Sequence, residues 1–241
     1  MTPQITKADV DAAKRILSKR PSGGPGDNPD FAVRPISEAW RLGGRRAAYK
    51  TAVANVAYIW RDATGSDRFG PMPQKFAERR CELHGSGLIL PPRAPLWAGG
   101  YTVWEEADAA ADATGDFTAI AAWHVMAEIP TEVPPQRWHA LVTNFVEREL
   151  AAKGLVSAWA IHALEGDDGA WIVRPHSHLI VTARQWRHDC RHGLRHPAGI
   201  GSWGAQARLE RAWYRACDAA GLLTRHFASG ASRSSLQGNG W

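Results

Sequence analysis

Pro175-His176-Ser177-His178 runs directly into the apolar stretch Leu179-Ile180-Val181-Thr182-Ala183, and no other segment constrains the fold as much. Strand side chains alternate between faces, so His176 and His178 leave one face together and Ser177 leaves the other. A second apolar run, Ala158-Trp159-Ala160-Ile161, ends in His162. If the two runs pair, three imidazoles converge on one ion and leave coordination positions open for a substrate. Three neutral imidazoles suit Mn, Zn, Co, Ni or Fe better than Ca, and an open site of that kind acts as a Lewis acid. An isolated His-x-His is more often polar strand surface, which is why the partner run matters.

Composition narrows the class. The chain has 241 residues, enough for one substantial core. Its net charge is +5 and its pI is near 9.4, with arginine dominating the basic residues. Arginine suits bidentate phosphate contacts, so a polyanionic partner is expected. The 12 tryptophans are numerous for this length, and beyond core packing some are available to stack on unpaired bases. Cys81, Cys190 and Cys217 are scattered, odd in number and form no CxxC pair, so neither a disulfide framework nor a zinc ribbon is supported. No 18-residue apolar run and no N-terminal h-region is present, so a soluble, cytoplasmic protein without membrane insertion is expected.

Three parts are expected along the chain: an N-terminal helix and Gly/Pro linker at 1–30, a folded domain at 31–225, and a flexible tail at 226–241. Thr6 caps the first helix, and the Pro21–Pro29 stretch breaks regular structure. Phe31–Ile36 is a first strand, which Pro35 places at an edge or ends. Arg45–Arg61 is a helix whose stripe Tyr49, Val53, Val56 and Trp60 faces the core, leaving Tyr58 on a face of small residues. Residues 62–100 are irregular apart from a short strand at 88–90. A helix at 103–113, a strand at 121–129 and a helix from Pro135 closed by Gly154 follow. The two histidine strands are joined by Gly166–Gly169, and an Arg/His-rich loop spans 187–196. The last helix, 203–220, turns Leu209, Trp213, Ala216 and Ala220 inward and ends at Gly221.

Several blocks together resemble the MobA/MobL relaxases of mobilisable plasmids, within the HUH endonucleases. Lys50-Thr-Ala-Val-Ala-Asn-Val-Ala-Tyr58 is similar to the family's basic-Ser-Ala-x-Ala-Ala-Ala-Ala-Tyr segment. Phe76–Arg80 and Leu88–Trp97 are similar to its connecting region, and Glu128-Ile-Pro130 falls where Ala-Leu-Pro usually precedes a helix. Ile161-His162 and Pro175-His176-Ser177-His178 through Arg184 resemble its metal-binding histidine motif.

The resemblance implies an α+β fold, an antiparallel sheet with flanking helices in an HUH palm, and the histidines on central strands. It implies site- and strand-specific nicking of single-stranded DNA at a transfer origin, through a 5′-phosphotyrosyl intermediate. Tyr58 is then the nucleophile. His162, His176 and His178 are ligands to a divalent ion, Mn or Mg first and Zn, Co or Ni as alternatives. Accessory mobilisation proteins, a type IV secretion coupling protein and a monomeric state follow from the same likeness. Arg45, Arg46, Lys50, Arg61, Arg174, Arg184, Arg187 and Arg191 are candidate DNA contacts. The chain departs from the pattern where Arg174 stands for Asn before Pro-His and where His124 stands for an acidic residue. His124 and Glu128 share a strand face and are candidates to orient a ligand histidine. A degenerate DNA-binding relative without nicking is the alternative. An unrelated His-x-His enzyme, such as a cupin-type oxygenase, fits the tyrosine helix and basic balance poorly.

Overall fold

The computed structural model describes residues 30–38, 49–186, 191–195 and 200–234, with side chains through 221. The N-terminal helix and linker, Arg45, Arg46 and Arg187 lie outside the described residues. Six strands form one antiparallel sheet: β1 (Phe31–Ile36), β4 (Leu83–Ile89), β5 (Ala122–Glu128), β6 (Leu155–Glu165), β7 (Trp171–Gln185) and β8 (Leu194–Arg195). Their order is β1-β5-β7-β6-β4, with β8 paired to the end of β7. β2 (Ser66–Asp67) and β3 (Gly70–Pro71) make a separate small hairpin.

β7 lies between β5 and β6 and is covered on both faces, which is why Leu179–Thr182 reads as an unbroken apolar run. One face carries α4 (Pro135–Glu149) and α5 (Trp203–Ser234), packed on Val125, Trp159, Leu179 and Val181. The other carries α1 (Ala52–Trp60) and α3 (Thr102–Asp112), packed on Ala122, Ala158, Ala160 and Ile180. The short α2 (Lys75–Glu78) contributes Phe76 to this second layer. His162, His176 and His178 share the parity of Ala158, Ala160 and Ile180, so they project towards α1.

Two prolines mark the limits of the ladder. Pro35 sits on β1, an edge strand, where a missing N–H is tolerated. Pro175 sits in central β7, but the register slips there. His162 opposes His176 and Leu164 opposes Val173, so Ala163 faces two residues, Arg174 and Pro175. That bulge accommodates the proline and bends β7 beside the histidines. Gly87 of β4 is required by its neighbour: an added Cβ would stand 2.9 Å from the Trp159 indole nitrogen.

Four elements differ from expectation. α1 begins at Ala52 because the Thr51 hydroxyl accepts from Ala54 N at 3.0 Å and caps it, so Tyr49 and Lys50 precede the helix. Asp108 of α3 adds to this start, accepting from Ala52 N at 2.8 Å and Val53 N at 3.2 Å. β4 runs from Leu83, five residues before the short strand expected at 88–90, since its two glycines make room for Trp159. The 62–100 segment also holds α2 and the β2–β3 hairpin. α5 continues past Gly221 to Ser234; a single glycine with no proline after it does not end a helix.

Candidate active site

Strand register assembles the three histidines. His162 of β6 lies directly across from His176 of β7, and His178 follows two residues on. One ring nitrogen from each falls within 4.8 Å of the other two. His162 and His178 are buried and His176 is half-buried.

Hydrogen bonds define which nitrogens are available. His176 Nδ1–H donates to the Arg174 carbonyl at 2.7 Å, which leaves the lone pair on Nε2. That Nε2 faces His178 Nε2 at 3.1 Å. His178 Nδ1 meets His124 Nε2 at 2.9 Å. With His178 donating to His124, both Nε2 lone pairs of the His-x-His pair point into one gap, so His124 stands where an outer partner orients a ligand. His162 Nε2–H donates to the Ile59 carbonyl at 2.8 Å, and its Nδ1 accepts from Arg61 Nη2 at 3.1 Å. The lone pair that His162 offers a metal is therefore the one Arg61 contacts.

The donor set fits a divalent ion, because metal binding needs unprotonated imidazoles. Burial first, and the Arg61 cation second, push His162 down to about 3. Burial and then Arg34 take His124 down to about 4. Burial also lowers His176, and takes His178 well down. The triad could thus hold a metal in its neutral state.

Tyr58 enters from α1. Its ring centroid is 6.1 Å from that of His178, with Tyr49 at 5.4 Å and Phe76 at 5.5 Å. The ring borders a cavity of about 520 Å³ shared with Tyr49, Lys75, Arg79, His124 and His178. Tyr49, expected in the core, is half-buried at this cavity instead, because α1 starts after it. Burial and then the neighbouring Tyr58 raise the pKa of Tyr49.

Two residues beside this site escaped the sequence reading. Glu82, which is buried, accepts from Arg61 Nη2 at 2.8 Å through one oxygen and from Arg79 Nε at 2.7 Å through the other. Arg79 lines the same cavity as Tyr58. The signal available was Arg79 and Glu82 at three-residue spacing, which alone reads as a surface pair.

Other sequence candidates fall differently. Arg61 is 1% exposed and paired with Glu82, so its guanidinium is sealed from DNA. Glu128 lies across from His176 in register, but its carboxylate turns to Arg174 at 3.7 Å and to Asp30, and it is the Arg174 carbonyl that accepts the hydrogen bond from His176 Nδ1–H. The exposed Arg174 guanidinium thus faces Glu128. Lys50 lies 4.1 Å over the Phe69 ring. Arg184 Nη1 donates to the His192 carbonyl at 3.2 Å, and exposed Arg191 pairs with Glu106 at 2.8 Å.

The sequence model of the MobA/MobL family matches residues 50–219. A solved chain described under the molecular basis of vancomycin resistance transfer in Staphylococcus aureus has a similar fold. It superposes with a TM-score of 0.60 at 15% identity, covering 79% of this chain and 90% of that one. No curated protein matches the chain significantly. Among the described residues, no helix is long and apolar enough to cross a membrane.

Proposed function

The chain belongs to the MobA/MobL family, and from that membership and the site's geometry we propose that it is a DNA relaxase. It nicks one strand of a plasmid transfer origin by transesterification, for conjugative mobilisation. The observation that carries this reading is the meeting of Tyr58, at one cavity, with His178 of the three-histidine cluster, 6.1 Å between the two rings.

Tyr58 Oη bonds to the scissile phosphorus as the P–O3′ bond breaks. The phenol proton leaves to solvent and the departing O3′ takes one up, so the strand ends in a free 3′-hydroxyl. The phosphate stays on the 5′ end as a tyrosyl ester, which conserves the bond for rejoining by the reverse step. His162, His176 and His178 would hold a divalent ion, Mn or Mg first and Zn, Co or Ni as alternatives, which would supply Lewis-acid stabilisation of charge on the phosphate. His124 holds His178 in the tautomer that keeps its Nε2 free. The HUH palm positions the strand, and Lys50, Arg174, Arg184 and Arg191, with Arg45, Arg46 and Arg187, are its candidate backbone contacts. The protein works as a cytoplasmic monomer alongside accessory mobilisation proteins and a type IV secretion coupling protein.

A second reading, a DNA-binding relative without nicking, is favoured by one observation: Arg61 contacts the His162 lone pair that a metal needs. The two separate in a single assay. With Mn²⁺ and labelled single-stranded oligonucleotides from the cognate origin, a relaxase gives an SDS-resistant adduct that Tyr58→Phe and a chelator each abolish, while DNA binding survives. Binding without adduct across origins and metals favours the second reading.

A further inference from the structure

Arg79, Glu82, Arg61 and His162 form one hydrogen-bonded chain that starts at the cavity lined by Tyr58. Arg79 borders the cavity that Tyr58 lines, Glu82 bridges Arg79 and Arg61 with contacts of 2.7 and 2.8 Å, and Arg61 reaches His162 at 3.1 Å. Its two cations differ in access. The Arg61 side chain is 1% exposed, whereas that of Arg79 is 49% exposed and borders the cavity beside Tyr58 and His178. A bound strand can touch only the second.

Resting on the relaxase reading, we propose that Arg79 is a catalytic residue of the transfer step, donating to both the Tyr58 oxygen and the scissile phosphate, with Glu82 as the positioning residue that aims it. Nε is committed to Glu82, and the guanidinium fork still offers its Nη hydrogens to two oxygen acceptors at once. Charge points the same way. Two guanidiniums against one carboxylate leave the Arg79–Glu82–Arg61 group a single positive charge, suited to a phosphodiester. Glu82 strengthens Arg79's hold on its own proton. Arg79 therefore acts as a fixed donor and never as the base; the phenol proton goes to solvent. Such a donor, preorganised where charge develops, lowers the barrier more than it tightens the ground state.

The test compares wild type, Arg79→Ala, Arg79→Lys and Glu82→Gln in single-turnover adduct formation with Mn²⁺. DNA affinity is measured in the Tyr58→Phe background and Mn²⁺ affinity by calorimetry. Arg79→Ala is expected to slow the adduct by about 10²–10³-fold, weaken DNA binding by less than about tenfold, and leave Mn²⁺ binding unchanged. Millimolar guanidinium restores part of its rate, and Arg79→Lys, a point charge without the fork, remains slow. In Glu82→Gln the loss falls on the rate at saturating DNA rather than on affinity. If Glu82→Gln fails to fold, Arg79→Ala and its rescue decide alone, since Arg79 lies at the surface. A wild-type rate in Arg79→Ala, or a slow variant that guanidinium does not rescue, overturns the proposal while leaving the relaxase reading intact. Absence of adduct in wild type overturns the reading itself, and the proposal with it.

Discussion

Replacing Glu82 with leucine takes from the buried Arg61 guanidinium the carboxylate it is paired with. Arg61 is 1% exposed, its Nη2 lies 2.8 Å from Glu82, and its Nη1 donates to the Tyr58 carbonyl at 3.2 Å. At that separation and an effective dielectric of about 20, the ion pair attracts by about 6 kcal/mol. Most of that attraction offsets the cost of taking both charges out of water, so deleting one partner costs about 3–5 kcal/mol. The Arg79 half adds only about 0–1 kcal/mol, because water replaces a lost partner at a half-exposed guanidinium. For a chain of this size each kcal/mol moves the thermal midpoint by about 2–4 °C. Glu82→Leu should therefore lose about 6–20 °C, and Arg79→Ala no more than about 4 °C. Urea unfolding followed by circular dichroism gives the free energies. The double variant Arg61→Met/Glu82→Leu should recover most of the loss, since no charge is left sealed in. A cost under about 1 kcal/mol for Glu82→Leu, or a double variant as unstable as the sum of the singles, would refute the reasoning.

Mn²⁺ at about 100 times its dissociation constant should stabilise the protein by about 2.7 kcal/mol, or about 5–10 °C in a thermal-shift assay. His178→Ala should lose that rise, and an equal rise in the variant would remove His178 from the ligand set. Burial raises Asp108 from 3.8 to about 7, so the folded chain binds the extra proton between those values. Unfolding free energy should accordingly fall by an amount on the order of 4 kcal/mol as pH rises from about 4 to about 7, then level off. Asp108→Asn should flatten that slope in urea titrations across the range; an unchanged slope would contradict the assignment. Gly87→Ala places a methyl 2.9 Å from the Trp159 indole, with an expected loss of about 1–3 kcal/mol by urea midpoint.

What the sequence disclosed follows from periodicity. The alternation in His176-Ser177-His178 fixes a face whatever the partner strands are, and Pro35 on β1 needs only the rule that edges tolerate a missing N–H. Tyr58 was legible because a helix separates it from the Val53/Val56 stripe by angle alone. Tyr49 was misplaced because the position of α1 depends on the Thr51 cap, which ends the apolar stripe before reaching it. Glu82 was invisible for another reason. Its burial depends on Arg61, 21 residues earlier, turning inward at a left-handed C-cap with φ of 55°. Glu128 shows the same limit: strand register brings it opposite His176, but side-chain torsions send the carboxylate to Arg174 and Asp30.

Peptide mapping of the covalent DNA adduct tests the central claim most directly. Trypsin cuts after Arg46, Lys50 and Arg61, so Thr51–Arg61 carries Tyr58 alone and Ala47–Lys50 carries Tyr49 alone. The phosphotyrosyl mass is predicted on Thr51–Arg61, formed only with metal present. The same mass on Ala47–Lys50, or on any peptide lacking Tyr58, would contradict the account.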